Sequence, residues 1–182
     1  TSGTTTNIEG PAANGGNNVI AWKDFSIKSG ETVQFDGGAK TQNYLNVVTE
    51  KNPSNIHGTL TGGNDVYIVN PNGVLFGKGA SVNVGNLYVS TQDTTSAVNA
   101  FTTDGKTGVN VLAAGTANAD VVNLGKLNAT NVAISGKNIT FTNASSTSSS
   151  AVTATGGDIT LAATGTITNL GSLTATSGTT DG

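Results

Sequence analysis

Apolar residues run along the chain in clusters of three to five, each cut short by Gly, Asn, Asp or Thr, and nowhere do they keep the three- and four-residue spacing of an amphipathic helix. Strands are predicted at 19–22, 25–27, 32–35, 45–48, 56–60, 66–69, 74–76, 81–84 and 87–90. They continue at 109–112, 120–122, 131–134, 139–142, 151–153, 159–162, 166–168 and 172–174. Turn formers fill nearly every gap. Two self-similarities appear in the second half. Val121-Val122-Asn123-Leu124-Gly125 returns as Ile167-Thr168-Asn169-Leu170-Gly171, 46 residues on, and Asn138-Ile139-Thr140 returns as Asp158-Ile159-Thr160, 20 residues on. Read as two coils and one coil of a solenoid, these offsets predict about 20–23 residues per turn. A sandwich of short strands does not generate such a repeat. The expected class is therefore all-β, a parallel β-helix of about eight coils, roughly 40 Å long at about 4.8 Å per coil. The pattern still holds at 172–176, which predicts continuation past Gly182.

Composition narrows the function. Charged residues make up 10% of the 182, the formal net charge is −3, and all eight basic residues are scattered lysines. Without a basic face, nucleic-acid binding is not expected. The apolar runs are too short to span a bilayer as a helix, and the polar start at Thr1 does not read as a signal peptide. Cysteine is absent, which suits a chain that must cross an oxidising periplasm unfolded, although small bacterial domains often lack it anyway.

Asn18-Val19-Ile20-Ala21-Trp22-Lys23-Asp24-Phe25-Ser26-Ile27, then Gly30-Glu31-Thr32-Val33-Gln34-Phe35, resembles the opening of filamentous-haemagglutinin proteins. Val66-Tyr67-Ile68-Val69-Asn70-Pro71-Asn72-Gly73-Val74-Leu75-Phe76 carries that family's Asn-Pro-Asn-Gly signature, and Val82-Asn83-Val84-Gly85 and Ser90-Thr91 follow at its spacing. The match runs from Asn18 to Thr91 and identifies the chain as similar to a two-partner secretion domain. The resemblance implies a right-handed parallel β-helix with short extra-helical strands or hairpins. It implies one domain over 1–182, at the front of a longer exoprotein, recognised by the periplasmic domains of an outer-membrane β-barrel transporter. It also implies export of the unfolded chain through the periplasm and outer membrane to the cell surface. The residues it places in secretion or transporter recognition are Asn70, Pro71, Asn72 and Gly73, with Asn46, Asn52 and Pro53. Val47 stands where the family often has Arg, Ser54-Asn55 follows Asn52-Pro53 where the family has Asn-Leu, and fewer residues than usual precede Trp22.

Each marked residue also has a plainer role. Asn70-Pro71-Asn72-Gly73 is a turn former in its own right, with Pro71 presetting φ and Gly73 closing the turn, so a corner is the baseline and recognition the sharper alternative. Trp22 is expected in core or cap packing. His57, the one histidine, has no Cys or His partner, so neither a metal site nor a cofactor is expected. Asp24, Asp65, Asp93 and Asp104 are scattered. Asn128, Asn138 and Asn143 head glycosylation sequons. Three function classes follow: an export signal captured by β-strand addition, an adhesin module binding host or neighbouring-cell glycans, and a β-helical polysaccharide enzyme. The missing arginine disfavours the enzyme. A monomer without catalytic activity is expected, with any surface receptor engaged by the rest of the protein.

Overall fold

The computed structural model describes residues 3–36, 41–143 and 150–176. A first strand, β1 (Thr5–Ile8), precedes six coils that lay parallel strands into three sheets, A, B and C. Coil 1 holds β2 (Asn17–Trp22), a single bridge at Ile27, and β3 (Thr32–Phe35). Coil 2 holds β4 (Asn43–Val48), β5 (Ser54–Ile56) and β6 (Thr59–Gly62), and coil 3 holds β7 (Asp65–Val69), β8 (Val74–Phe76) and β9 (Ser81–Asn83). Coil 4 holds β10 (Asn86–Ser90), β11 (Val121–Asn123) and β12 (Lys126–Ala129). Coil 5 holds β13 (Asn131–Gly136), β14 (Ile139–Phe141) and β15 (Ala151–Ala154), and coil 6 holds β16 (Ile159–Ala163), β17 (Ile167–Asn169) and β18 (Ser172–Ala175). The chain is a parallel β-helix.

Its logic is an apolar residue per coil at most inward positions, with Asn46 and Ser54 as buried polar exceptions. Val33, Leu60, Val82, Leu127, Val152 and Leu173 stand in register up sheet A, and Val66, Leu87, Val132 and Ile159 do so in sheet B. Backbone groups pair with the same neighbours, so each coil templates the next. Burying such side chains contributes roughly 1.5–3 kcal/mol apiece before conformational entropy is charged against it.

Several expectations need correction. The described residues form six coils, fewer than the eight expected. The segment 25–27 forms only the Ile27–Ile56 bridge. The predicted strand 56–60 breaks at His57-Gly58 into β5 and β6, where the chain turns from sheet C to sheet A and Gly58 passes so close to the carbonyls of Lys28 and Glu31 that no Cβ fits. The 46-residue repeat does span two coils, since β14 separates β11 from β17 in sheet C. The 20-residue repeat is no coil: Ile139 pairs with Val121 in sheet C and Ile159 with Val132 in sheet B.

The largest departure is helical. Between β10 and β11 the chain leaves the coil, forms α1 (Thr94–Thr102) and two 3₁₀ turns, and returns; the predicted strand at 109–112 is the first of those turns, Gly108–Val111. All eighteen described strands belong to the three sheets, so among the described residues the segment that leaves the solenoid is helical, where the resemblance implies extra-helical strands or hairpins. Asp93 starts α1 by accepting the N–H groups of Thr95 (2.9 Å) and Ser96 (3.3 Å) and the Ser96 hydroxyl, which together hold its carboxyl below the usual range. Ala97, Ala100 and Phe101 then cover the outer face of sheet B, packing with Leu45, Val47, Tyr67, Val69 and Tyr88 as a second apolar cluster. Fully buried Gln92 clips the excursion at both ends. Its Oε1 accepts from Ser90 Oγ (2.9 Å) and Ala113 N–H (2.6 Å), and its Nε2 donates to Val111 O (3.1 Å).

The buried tyrosines give the fold an alkaline limit. Burial, helped by Asp36 for Tyr44 and by Asp65 for Tyr88, pushes both phenols up to about 12, and Tyr67 is raised further by burial and Asp65. An unfolded tyrosine ionises near 10. Between those values the folded state binds more protons, so stability is full below pH 10 and falls as pH rises towards 12. A pH series of melting temperatures should show this loss, steepest in that window; a flat profile to pH 12 would contradict it.

Candidate functional site

All of the marked residues but Asn46 gather at the corner where coils 2 and 3 pass from sheet B to sheet C. Asn70 is its hub and is wholly buried. Its Nδ2 donates to Asn52 O (2.8 Å) and Ser54 Oγ (2.9 Å), and its Oδ1 accepts from the backbone N–H and the side-chain Nδ2 of Asn72, both at 2.9 Å. Gly73 N–H closes the turn on Asn70 O at 3.1 Å. Gly73 has φ of 113°, which an L side chain resists, and an added Cβ would stand 3.3 Å from Asp120 O. The turn therefore is the corner between β7 and β8.

The corner extends across coils. Asn72 Nδ2 donates to Glu50 O (2.8 Å), Ser54 N–H to Gly73 O (3.0 Å), and Asn52 Nδ2 to Lys23 O (3.1 Å). Asn70 N–H donates to Ser90 O in coil 4 (3.0 Å). Four coils are thereby tied at one edge. Exposure grades the residues: Asn70 and Gly73 are buried, Asn52 and Pro71 half-buried, Pro53 and Asn72 exposed. Ser54 faces inward and supplies the partner that Asn70 needs.

Asn46 lies apart from this corner, inside the solenoid beneath Trp22. Its Oδ1 accepts from Trp22 Nε1 (3.0 Å) and its Nδ2 donates to Tyr67 O (3.0 Å). Trp22, half-buried with its ring 5.2 Å from Phe25, covers that end of the core. Val47 points the opposite way, under the excursion; a guanidinium there would be buried in the second apolar cluster. Before Trp22, a polar knot joins the N-terminal segment to coil 2. Gln42 Nε2 donates to Gly10 O (3.2 Å) and Ala12 O (2.6 Å), Asn18 Nδ2 donates to Gln42 Oε1 (2.8 Å), and Tyr44 OH accepts from Gly10 N–H (3.1 Å).

One array went unread in the sequence. Asn17, Asn43, Asp65, Asn86, Asn131 and Asp158 stand in register at the entry to all six strands of sheet B. Asn43 Nδ2 donates to Asn17 Oδ1 (2.8 Å), Asp65 N–H to Asn43 Oδ1 (3.2 Å), Asn86 Nδ2 to Asp65 Oδ1 (2.7 Å), Asn131 Nδ2 to Asn86 Oδ1 (2.9 Å) and Asp158 N–H to Asn131 Oδ1 (3.0 Å). The readable signal was an Asn or Asp directly before an apolar run. Sheet C has its own version, where Asp120 Oδ1 accepts from Asn138 Nδ2 (2.9 Å) and Asn138 Oδ1 from Thr166 N–H (3.0 Å).

Other marked residues have local duties. Asp24 accepts from Ser26 Oγ (2.6 Å), and Asp104 pairs with Lys106 at 3.4 Å. His57 is exposed. Of the sequon asparagines, Asn138 has its amide committed as above, Asn128 Nδ2 donates to Asn83 Oδ1 (3.3 Å), and Asn143 Oδ1 accepts from Ser150 N–H (3.2 Å), with the rest of its sequon outside the described residues.

A family model of the TPS secretion domain matches residues 1–181. Two heme/hemopexin-binding proteins of Haemophilus influenzae, one of them from strain Rd, are each 39% identical over 74 residues, which is 41% of this chain. The matched stretch is only 8% of each relative's length.

Proposed function

The chain belongs to the family of TPS secretion domains, and from that premise we propose that its transporter reads the outward half of the corner, Pro53, Pro71 and Asn72 with Asn52 beside them, while Asn46, Asn70 and Gly73 hold the coils. Such a domain is the part of an exoprotein that a partner outer-membrane transporter recognises, and it is exported through the outer membrane to the cell surface or the extracellular space. The carrying observation for the division of labour is the exposure of Pro53 and Asn72 beside fully buried Asn70. Asn70 has a structural reason for its presence, since its amide makes its hydrogen bonds inside the domain, whereas exposed Pro53 and the Oδ1 of Asn72 are left for a partner, Asn72 Nδ2 being bonded to Glu50 O and Asn70 Oδ1.

The test is a photo-crosslinking amino acid placed in turn at 53, 72 and, on the far face, 153. Capture of the transporter's periplasmic domains from 53 and 72 but not 153 is expected. Equal capture from all three would remove the corner from recognition.

On the same reading the domain is a non-catalytic monomer, and the function of the whole protein resides in the chain beyond it, as an adhesin or a contact-dependent toxin. The relatives' named binding of heme and hemopexin belongs to those proteins. A glycan-binding role for the domain itself has one feature in its favour. A groove of about 240 Å³ lies between Gly108-Val109-Asn110 and the outer face of coils 5 and 6, with Tyr88, Asn131, Asp158 and Thr160 on its walls. Its amides, hydroxyls and one carboxylate suit a neutral sugar ring.

A further inference from the structure

Asn72 is followed by Gly73, and glycine offers the least steric resistance when a backbone nitrogen attacks the side-chain amide before it. We propose that Asn72-Gly73 is a deamidation site that folding closes, so that this corner limits how long the chain can wait unfolded before export. In the reaction Gly73 N attacks Asn72 Cγ. A nitrogen–carbon bond forms, the Cγ–Nδ2 bond breaks, and Nδ2 leaves as ammonia carrying the proton from Gly73 N. Water then opens the succinimide to aspartate or isoaspartate.

In the folded corner both reacting groups are engaged elsewhere. Gly73 N–H is donated to Asn70 O at 3.1 Å. Asn72 Nδ2 is held by Glu50 O (2.8 Å) and Asn70 Oδ1 (2.9 Å), and Asn72 N–H also donates to Asn70 Oδ1 (2.9 Å). Attack requires the turn to open, and the turn is tied to coils 2 and 4. The unfolded chain has none of these restraints.

The product also damages the corner. Glu50 O and Asn70 Oδ1 are acceptors, and an aspartate carboxylate has no hydrogen to give either of them. Isoaspartate adds a methylene to the backbone inside a four-residue turn. A chain that ages while unfolded therefore returns to the fold with this edge weakened. The other Asn-Gly step, Asn14-Gly15, is an internal control: Gly15 N–H donates to Thr41 O (2.6 Å) and Asn14 Oδ1 accepts from Thr41 N–H (2.7 Å), leaving its side-chain nitrogen uncommitted among the described residues.

Only the consequence for export rests on the secretion reading; the chemistry is measured without a transporter. The 182-residue chain is incubated folded in buffer and unfolded in urea at the same pH and temperature, and conversion at Asn72 and Asn14 is followed by peptide mapping and mass spectrometry. Both steps are expected to convert at similar rates in urea, with folding slowing Asn72 roughly tenfold or more and slowing it further than Asn14. Equal rates at Asn72 in the two states would overturn the proposed site. In cells whose transporter is depleted, the retained chain should gain aspartate or isoaspartate at 72 and then be exported less than freshly made chain once the transporter is restored; equal export of aged and fresh chain would overturn the limit on waiting.

Discussion

Replacing Tyr67 with Ala is expected to cost about 3–5 kcal/mol, the range for truncating a large buried aromatic. Tyr67 is the pin between solenoid and excursion. Its ring stacks on Tyr88 at 4.7 Å and meets Phe101 edge-on at 5.3 Å, and its hydroxyl accepts Gly108 N–H at 2.7 Å. Truncation opens a cavity beneath α1 and strands that N–H at once. Chemical denaturation should show the drop, with the helical part of the circular dichroism signal lost first. Tyr67→Phe should lose only the hydroxyl's hydrogen bonds, from Gly108 N–H and the long one to Asp65 (3.5 Å), about 1 kcal/mol. Equal effects of Ala and Phe would mean that ring packing contributes nothing to holding the excursion.

Asn70→Ala should cost about 3 kcal/mol, because it removes four hydrogen bonds from a fully buried site and strands Asn52 O and Ser54 Oγ. Asn70→Asp should also be destabilising, since a buried carboxylate would face the Asn52 carbonyl, which has no hydrogen to give, with only the Ser54 hydroxyl able to donate on that side. By contrast Asn72→Ala, at an exposed position, should cost about 0.5–1.5 kcal/mol. Melting temperatures of the three variants check this order. Asn72→Ala as damaging as Asn70→Ala would contradict the division between a buried hub and an exposed rim.

The architecture was legible because an inward column of Val, Ile, Leu and Phe imposes short alternating clusters, and β3, β7 and β8 fall where those clusters predict them. The excursion was not legible. Thr94-Thr95-Ser96-Ala97-Val98-Asn99-Ala100-Phe101 is weak in helix formers apart from its two alanines, and it becomes a helix through the Asp93 cap and tertiary cover more than through propensity. The second apolar cluster left a trace, since Val66-Tyr67-Ile68-Val69 is a continuous apolar run rather than an alternation, but nothing in the run shows that a helix covers its outer face. The false 20-residue repeat has a physical source too. Asn138 and Asp158 both stand at a corner before an apolar strand, but at different corners, and corner chemistry recurs more often than coils do. At the site, the sequence motif located the turn, yet only the structure separates Asn70, which builds it, from Asn72, which is presented by it. Asn46 was marked with the turn residues and belongs to the Trp22 cap instead.

The central claim, that the transporter reads the exposed rim of a corner whose hub is structural, is tested most directly by secretion yield set beside melting temperature for variants at 53, 71 and 72. Each is expressed with the partner transporter, and the purified domain is melted separately. Asn72→Ala and Pro53→Ala are expected to stay folded, within a few degrees of the unmodified chain, while their export falls well below it. Normal export of every variant that remains folded, with losses only where stability is lost, would contradict the claim and leave the corner a structural element alone.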